Sequence, residues 1–460
     1  VTGISEGPEN TFWVSTFSGG LNRFDRISGK FSHYNHKSDE KNSLSSDTTT
    51  SVFIDPDGIV WIGTLHDGLN CFDPEKGVFK NYPVRGNPGP HPPDAADVST
   101  IHHGKNGLMW LGSKYGLVRF EKSTGQMKIF EPKSSPTRWV WSKIYEDEDG
   151  MLWFGAHEGG LNRFNPNTEQ FTAYLPDPNN PNSISSKAVF DIFPDQNGFL
   201  WVGTDLGLNR FDINTKTFKV YREEDGLPDD AVKCIFRDNN RNLWLSTRNG
   251  ISCFDPDNVC FRNYDASDGL QGQAFSERAS CQSMDGEIFF GGNNGFNAFY
   301  PENIKDNMEV PPIALTALTQ GGKNVEIESA TEVLKEITFE WPHNYFEFEF
   351  AALNYRQPQK NQYAYILQGF DHDWYYTGSD HRGRYSNLPG GKYVLRVKGS
   401  NNDGIWNEEG ASLDINVITI GQQLTAILNL GDLILEVTKF AKAFNNYNHT
   451  QVFLINEDQD

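Results

Sequence analysis

The stretch "PTRWVWSK", residues 136 to 143, sets two indole rings two positions apart with a guanidinium beside the first. In an extended chain, residues two apart point to the same side. Trp139 and Trp141 therefore present aromatic faces together, and Arg138 adds a planar donor. Such a group suits a sugar ring, whose C–H face stacks on an aromatic plane while its hydroxyls need hydrogen-bond partners. The plainer alternative is that both rings plug an interior channel. His157, Glu158, Lys187, Arg248, Phe275, Glu277 and Arg278 complete the candidate ligand-binding set. His66, His157 and Glu158 are also of the types that general acid–base chemistry uses. No carboxylate pair recurs at a recognisable spacing, and no CxxC pair or metal-ligand spacing occurs. The expectation is therefore no catalytic residue, no metal and no cofactor.

The elements that must position these side chains are legible as a repeat. "WIGTLHDGLNCFD" at Trp61 has near-copies at Trp13 ("WVSTFSGGLNRFD"), Trp153 ("WFGAHEGGLNRFN") and Trp201 ("WVGTDLGLNRFD"). Tryptophans at 13, 61, 110, 153, 201 and 244 are spaced by 48, 49, 43, 48 and 43 residues, and Phe289 takes the slot in a seventh copy. Periods of this length belong to helical repeats or to propeller blades. Residues 48–82 decide for blades, because they hold four short apolar or alternating runs separated by Gly, Pro and Asp turns. A four-stranded unit cannot bury both faces alone, and stacking such units around an axis gives each a neighbour on either side. An all-β fold is predicted, with a seven-bladed β-propeller over 1–304. Each tryptophan fills the wedge between blades. The seventh copy shows three strands and no clear fourth, so a borrowed strand or a ragged seam is expected.

Propeller geometry then sorts the loops. Loops between second and third strands share one mouth with the links between blades; the former carry Phe17, His66, Lys114, Tyr115, His157, Glu158, Asp205, Arg248 and Asn294. Two links, 83–98 and 175–186, are longer than a hairpin needs, as binding loops often are. Just inside the mouth, alignment on the tryptophans makes Asp47, Ala96, Trp139, Lys187, Asp230 and Phe275 equivalent. Types that differ at equivalent positions suggest a site, whereas repeated types suggest scaffold. The acidic turns at 55–58, 146–150 and 195–198 fall on the other face and lack the distal Glu of a calcium loop, so they read as Asp-Gly turns.

The 460 residues carry a formal net charge of −21, which speaks against a nucleic-acid partner, since phosphate binding needs clustered Lys and Arg. The five cysteines are an odd set without framework spacing, and they read as ordinary strand residues. No run of 18 apolar residues is present to span a membrane. The chain starts at Val1 on a blade strand, as a fragment or a processed chain would.

From Pro311 the period stops while strands continue. "YFEFEFA" at 345–351 alternates Phe346, Phe348 and Phe350 with Tyr345, Glu347 and Glu349, as one half-buried strand of a sandwich does. An immunoglobulin-like β-sandwich is predicted over 311–418. Residues 421–444 have apolar side chains at helical spacing with charges among them, so an amphipathic helix is predicted, with a strand in "TQVFLINEDQD".

"DPDGIVWIGTLHDGLNCFD", "NSISSKAVFDIFPDQNGFLWVGTDLGLNRFD" and "EEDGLPDDAVKCIFRDNNRNLWLST" resemble the two-component regulator propeller repeats of bacterial sensor proteins. The phrase at 268–304 is similar to that family's closing signature. "NQYAYILQGFDHDWYYTG" and "RYSNLPGGKYVLRVKGSNNDGIWN" resemble the Y_Y_Y domain, whose Tyr363, Tyr365, Trp374, Tyr385, Tyr393 and Trp406 read as core. Residues 421–460 resemble the opening of a GAF domain cut short, or a linker. The resemblance implies a sensing region, for an oligosaccharide or another small molecule, that relays occupancy through a dimerising Y_Y_Y domain to a histidine kinase or similar output. It implies the periplasmic side of the inner membrane, with membrane attachment only through a segment outside this sequence; the alternative is cytoplasmic, because no span precedes the GAF-like stretch. No phosphoacceptor motif or ATP-binding loop is present, so these residues are not expected to be an enzyme. Two alternatives stay open: a propeller lyase or hydrolase acting on a carbohydrate or lactone, and a protein-binding scaffold.

Overall fold

The computed structural model describes residues 1–40, 42–85, 97–131, 139–195, 198–321, 323–325, 335–340, 343–419, 432 and 434–439. The chain divides into two compact units, Val1–Ile304 and Lys305–Asp460.

The first unit is a seven-bladed propeller of antiparallel sheets. Blades 1 to 7 run over Gly3–Tyr34, Thr49–Tyr82, Val98–Phe130, Tyr145–Tyr174, Val189–Tyr221, Val232–Tyr264 and Phe275–Phe299, with strands in chain order within each sheet. The first strand of each blade lines the hub, where the first strands of blades 1, 2 and 3 are neighbours and those of 5, 6 and 7 likewise. The first strands of blades 7 and 1 also meet. Blade 7 has three described strands, as its sequence suggested. Across the seam, Arg26 of blade 1 pairs with Glu287 at 2.7 Å and with Asp285 at 3.3 Å.

The repeated phrase has a pairwise cause. The six tryptophans and Phe289 are at most 3 % exposed. Each tryptophan packs on the phenylalanine that ends the phrase in the next copy. Trp13 meets Phe72 at 5.7 Å between ring centroids, Trp61 meets Phe120 at 5.4 Å, Trp153 meets Phe211 at 5.8 Å, and Trp201 meets Phe254 at 5.9 Å. Neither ring can be buried without the other's blade, so both are written into every copy. The small residue two after the tryptophan has a similar origin. A Cβ on Gly63 would stand 2.1 Å from Val98 O of the next blade, and one on Gly203 would stand 2.6 Å from Val232 O.

Those close carbonyls belong to bulges. The inner strands of blades 2, 3, 5 and 6 each slip register by one residue, leaving Thr50, Ser99, Phe190 and Lys233 without a partner in the ladder. Blade 7 slips between Phe275 and Ser280, so residues 276–279 bulge together. A bulged residue is released from the ladder and re-aimed. Here the bulges deliver side chains to the hub.

The second unit is a two-sheet sandwich. Ile313–Gln320 pairs with Lys323–Asn324 and with Phe346–Ala352, which in turn pairs with Arg382–Tyr385. The facing sheet orders Glu336–Glu340, Ala411–Ile418, Gly391–Gly399, Tyr363–Gln368 and Tyr375–Gly378, with the first pair parallel. Phe346, Phe348 and Phe350 are at most 1 % exposed, and they share a core with Tyr363, Tyr385, Tyr393 and Leu395. Trp374 and Trp406 are not core: they are half-buried, with the Lys398 ammonium 4.7 and 5.2 Å from their centroids. Of the C-terminal segment, 432 and 434–439 are helical. The rest of the predicted helix, the predicted strand and the GAF-like resemblance lie outside the described residues.

Candidate functional site

The bulge position, rather than the position three residues before it, separates scaffold from site. On three successive blades it carries a hydroxyl that fastens one blade to the next. Thr2 Oγ1 donates to Thr49 O at 2.8 Å, Thr50 Oγ1 to Val98 O at 2.5 Å, and Ser99 Oγ to Val140 O at 2.5 Å. The equivalents on blades 5, 6 and 7 are Phe190, Lys233 and Arg278. Blades 1 to 3 are thus latched by hydroxyls, Ser142 of blade 4 takes the Gly155 amide of its own blade instead, and blades 5 to 7 carry charge and aromatic surface into the hub.

These side chains form one connected layer. Lys233 Nζ lies 2.6 Å from Glu277 Oε1 and 3.6 Å from the centroid of the Phe190 ring. Glu277 Oε2 accepts from Trp141 Nε1 at 2.6 Å. The Arg278 guanidinium carbon sits 4.4 Å from the centroid of the Trp141 ring, and its Nη1 donates to Ser99 O at 2.7 Å. Lys143 Nζ donates to Ser280 Oγ at 2.8 Å and stands 3.7 Å from the buried Asp191 carboxylate. Asp191 also accepts from the Ile192 and Ile235 amides, each at 2.9 Å.

Burial and neighbours set the protonation of this layer. Burial pushes the Glu277 carboxyl up, but Lys233 and the two hydrogen bonds outweigh it, leaving it below its ordinary value. Asp191 goes the other way: burial raises it, and Lys143 and the two amides only partly offset that. Arg278 is lowered by burial against the pull of Glu277.

Above the layer lie the aromatic residues. The Trp139 and Trp141 rings meet edge to face at 4.5 Å, and the His157 ring is 5.6 and 5.9 Å from them. The expectation of a regular strand under the two tryptophans is corrected: the strand of blade 4 begins only at Tyr145. The reason is local. Gly155 O accepts from both the Trp141 and Ser142 amides, and Ser142 Oγ takes the Gly155 amide at 2.6 Å, so the ladder does not form there. The rings nonetheless turn to each other, and His157 N donates to Trp139 O at 2.9 Å, fixing the mouth loop against them. Trp139 Nε1 is buried and has no partner among the described residues.

The other expected positions divide. Glu158, Lys187 and Arg248 are exposed on mouth loops and links, with Glu158 in a left-handed turn at φ 56°. Phe275 is 4 % exposed and packs into the core between blades 6 and 7, with Trp244, Ile288 and Phe290. Arg138 lies outside the described residues. His66 is engaged by Asp97, 3.1 Å from its Nδ1. Alignment on the tryptophans missed Lys143, Phe190, Asp191 and Lys233. Reading three positions further along each copy would have found Phe190 and Lys233, where Thr and Ser give way to other types.

The acidic turns serve the tryptophans. Asp55 accepts from the Asp57 and Ile59 amides of its own turn and from Trp61 Nε1 at 2.8 Å; Asp147 does the same for Trp153 at 2.9 Å, and Asp238 for Trp244 at 3.0 Å. Among the described residues no group of three or more His, Cys, Asp or Glu could hold a metal ion. Among them, too, no helix is long and apolar enough to cross a membrane.

Residues 43–66, 183–205 and 226–249 match the two component regulator propeller, and residues 354–417 match the Y_Y_Y domain. The chain therefore carries regulator propeller repeats followed by a Y_Y_Y domain. Histidine kinase P4 of Formosa agariphila is 24 % identical over 243 residues, which is 51 % of this chain and 14 % of that protein. The solved extracellular domain of the hybrid two component system BT3049 from B. thetaiotaomicron shares the fold, with a TM-score of 0.77 at 24 % identity, covering 91 % of this chain and 55 % of that one. The chain thus spans about half of the solved relative and a small part of the kinase.

Proposed function

We propose that these residues form the ligand-sensing region of a two-component signalling protein, facing the cell exterior or periplasm, and that the ligand is an oligosaccharide bound at the mouth. The observation that carries the reading is the cluster of Trp139, Trp141 and His157, with an unpartnered indole N–H on Trp139, set at one point of a ring whose other blades repeat. Two perpendicular rings offer a stacking wall, and the exposed His157 imidazole beside them offers a hydrogen bond, which is the recognition chemistry of a sugar. The regulator propeller repeats and the histidine kinase relative support the signalling context. Occupancy passes through the Y_Y_Y sandwich, which pairs with a second copy, to a kinase output.

Titration calorimetry of the chain with a panel of neutral oligosaccharides tests this, together with Trp139→Ala. Saturable binding without turnover, weakened by about 1 to 3 kcal/mol in the variant, is expected for a lost aromatic contact. Turnover of the bound sugar would replace the reading with an enzymatic one.

A further inference from the structure

The hub holds a second feature that the mouth does not use. Arg278 is a buried cation that makes no ion pair among the described residues: Glu277 acts on it only from beyond contact distance, its Nη1 is spent on a carbonyl oxygen, and its Nε is buried with no partner. A buried charge is ordinarily paired or bound to something. Glu277, the adjacent residue, is taken by Lys233 and Trp141, and Asp191 is taken by Lys143 and two amides. The layer therefore has three cations, Lys143, Lys233 and Arg278, against two carboxylates. This surplus sits inside a protein whose net charge is −21.

A cavity of about 280 Å³ opens beside Arg278 and Lys143. It extends away from the mouth, since it reaches Phe53 and His103, which lie at the far ends of their inner strands. Thr100 and Ser280 supply hydroxyls along its wall. At the end away from the cations, the Phe53 and His103 rings stack, 6.0 Å apart and inclined by 16°. The volume is at the small end of ligand pockets, near 300 Å³, and suits a single ring.

We propose that this cavity is a binding site for a small monoanion bearing a carboxylate and hydroxyls, a one-ring sugar acid. The carboxylate lies against the Arg278 guanidinium and Lys143, the ring hydroxyls meet Thr100 and Ser280, and the apolar edge reaches the Phe53 and His103 rings. A guanidinium pairs most strongly with a carboxylate that takes two of its N–H groups. One negative charge cancels the surplus, whereas a phosphate dianion would exceed it. The site stands independently of the reading of the mouth.

Titration calorimetry of the full chain with sodium D-glucuronate, D-glucose and inorganic phosphate tests the proposal. Saturable glucuronate binding is expected, at least tenfold tighter than glucose or phosphate. Lys143→Gln is expected to weaken it at least tenfold, and Lys143→Arg to retain it. Should Lys143→Gln fail to fold, His103→Ala at the other end of the cavity is expected to weaken glucuronate at least fivefold. No saturable binding of glucuronate, equal binding of glucose, preference for phosphate, or indifference to these substitutions would overturn it.

Discussion

Trp141 Nε1 and Glu277 Oε2 are 2.6 Å apart across the hub, although 136 residues separate them in the chain. The indole is thereby held from two sides, by the carboxylate at its N–H and by the Arg278 guanidinium at its ring face. A tryptophan fixed in this way is part of the ring's internal bracing as well as a wall of the mouth.

Substituting Trp141 should therefore act on stability and on binding together. Trp141→Phe keeps a ring but leaves one oxygen of a half-buried carboxylate without its donor, at a cost of about 1–3 kcal/mol. Thermal melting of the variant should fall, and Trp141→Phe should cost less in a Glu277→Gln background, where the carboxylate that the indole serves is already gone. Equal losses in the two backgrounds would mean that the bond contributes nothing.

The acid limb of stability carries a signature of Glu277. Its folded-state carboxyl lies below the ordinary 4.5, so its ionised form contributes stability that is complete above the unfolded value and is lost as pH falls through the folded one. Asp191 opposes this, because its folded-state value is raised and protonation relieves its burial. The difference between wild type and Glu277→Gln isolates the first. Denaturant melts from pH 7 down to about pH 3 should show a shallower acid loss in the variant, and parallel curves would refute the assignment.

The acidic turns are predicted to be indifferent to calcium. Asp55 is fully buried at its side chain, accepts from Trp61 and two amides, and pairs with Lys122 Nζ at 2.6 Å. Asp55→Ala should cost about 1–3 kcal/mol, since it leaves the buried Trp61 indole N–H and two turn amides without their acceptor, while Lys122 keeps Asp57 at 2.8 Å. Millimolar calcium or a chelator should leave the melting temperature of the wild type where it was. A calcium-dependent rise would return the turns to the metal-binding class.

Gly63 should not tolerate a methyl group. The added Cβ would stand 2.1 Å from a backbone oxygen of the next blade and 2.4 Å from Ser51 Oγ, so the blades must part. Overpacking of this kind costs about 1–3 kcal/mol. Urea titration of Gly63→Ala should show an earlier midpoint, and an unchanged midpoint would mean that the interface yields.

The rings of the fold were legible and the hub was not, for a physical reason. The wedge tryptophans, the blade count and the alternating Phe346, Phe348 and Phe350 follow from burial, which acts on residue type directly. A bulge changes register without demanding a particular residue. Alignment on the tryptophans therefore placed Phe275 just inside the mouth, where the structure has it in the core, and passed over Phe190 and Lys233. Trp139 and Trp141 were paired correctly by their spacing even though the strand expected beneath them is absent. Their contact needs only that both be released toward the hub.

Three bonds run from blade 7 to blades 3 and 4: Arg278 to Ser99, Glu277 to Trp141, and Ser280 to Lys143. They are spokes, and they occupy one sector of the wheel only. Torque applied to blade 7, from which the chain leaves at Ile304, need not travel around the rim through blades 1 and 2. It also crosses the axle to the aromatic wall of blade 4, and because Asp191 of blade 5 and Lys233 of blade 6 are bonded into the same layer, blades 4 to 7 are coupled through the axle as one sector.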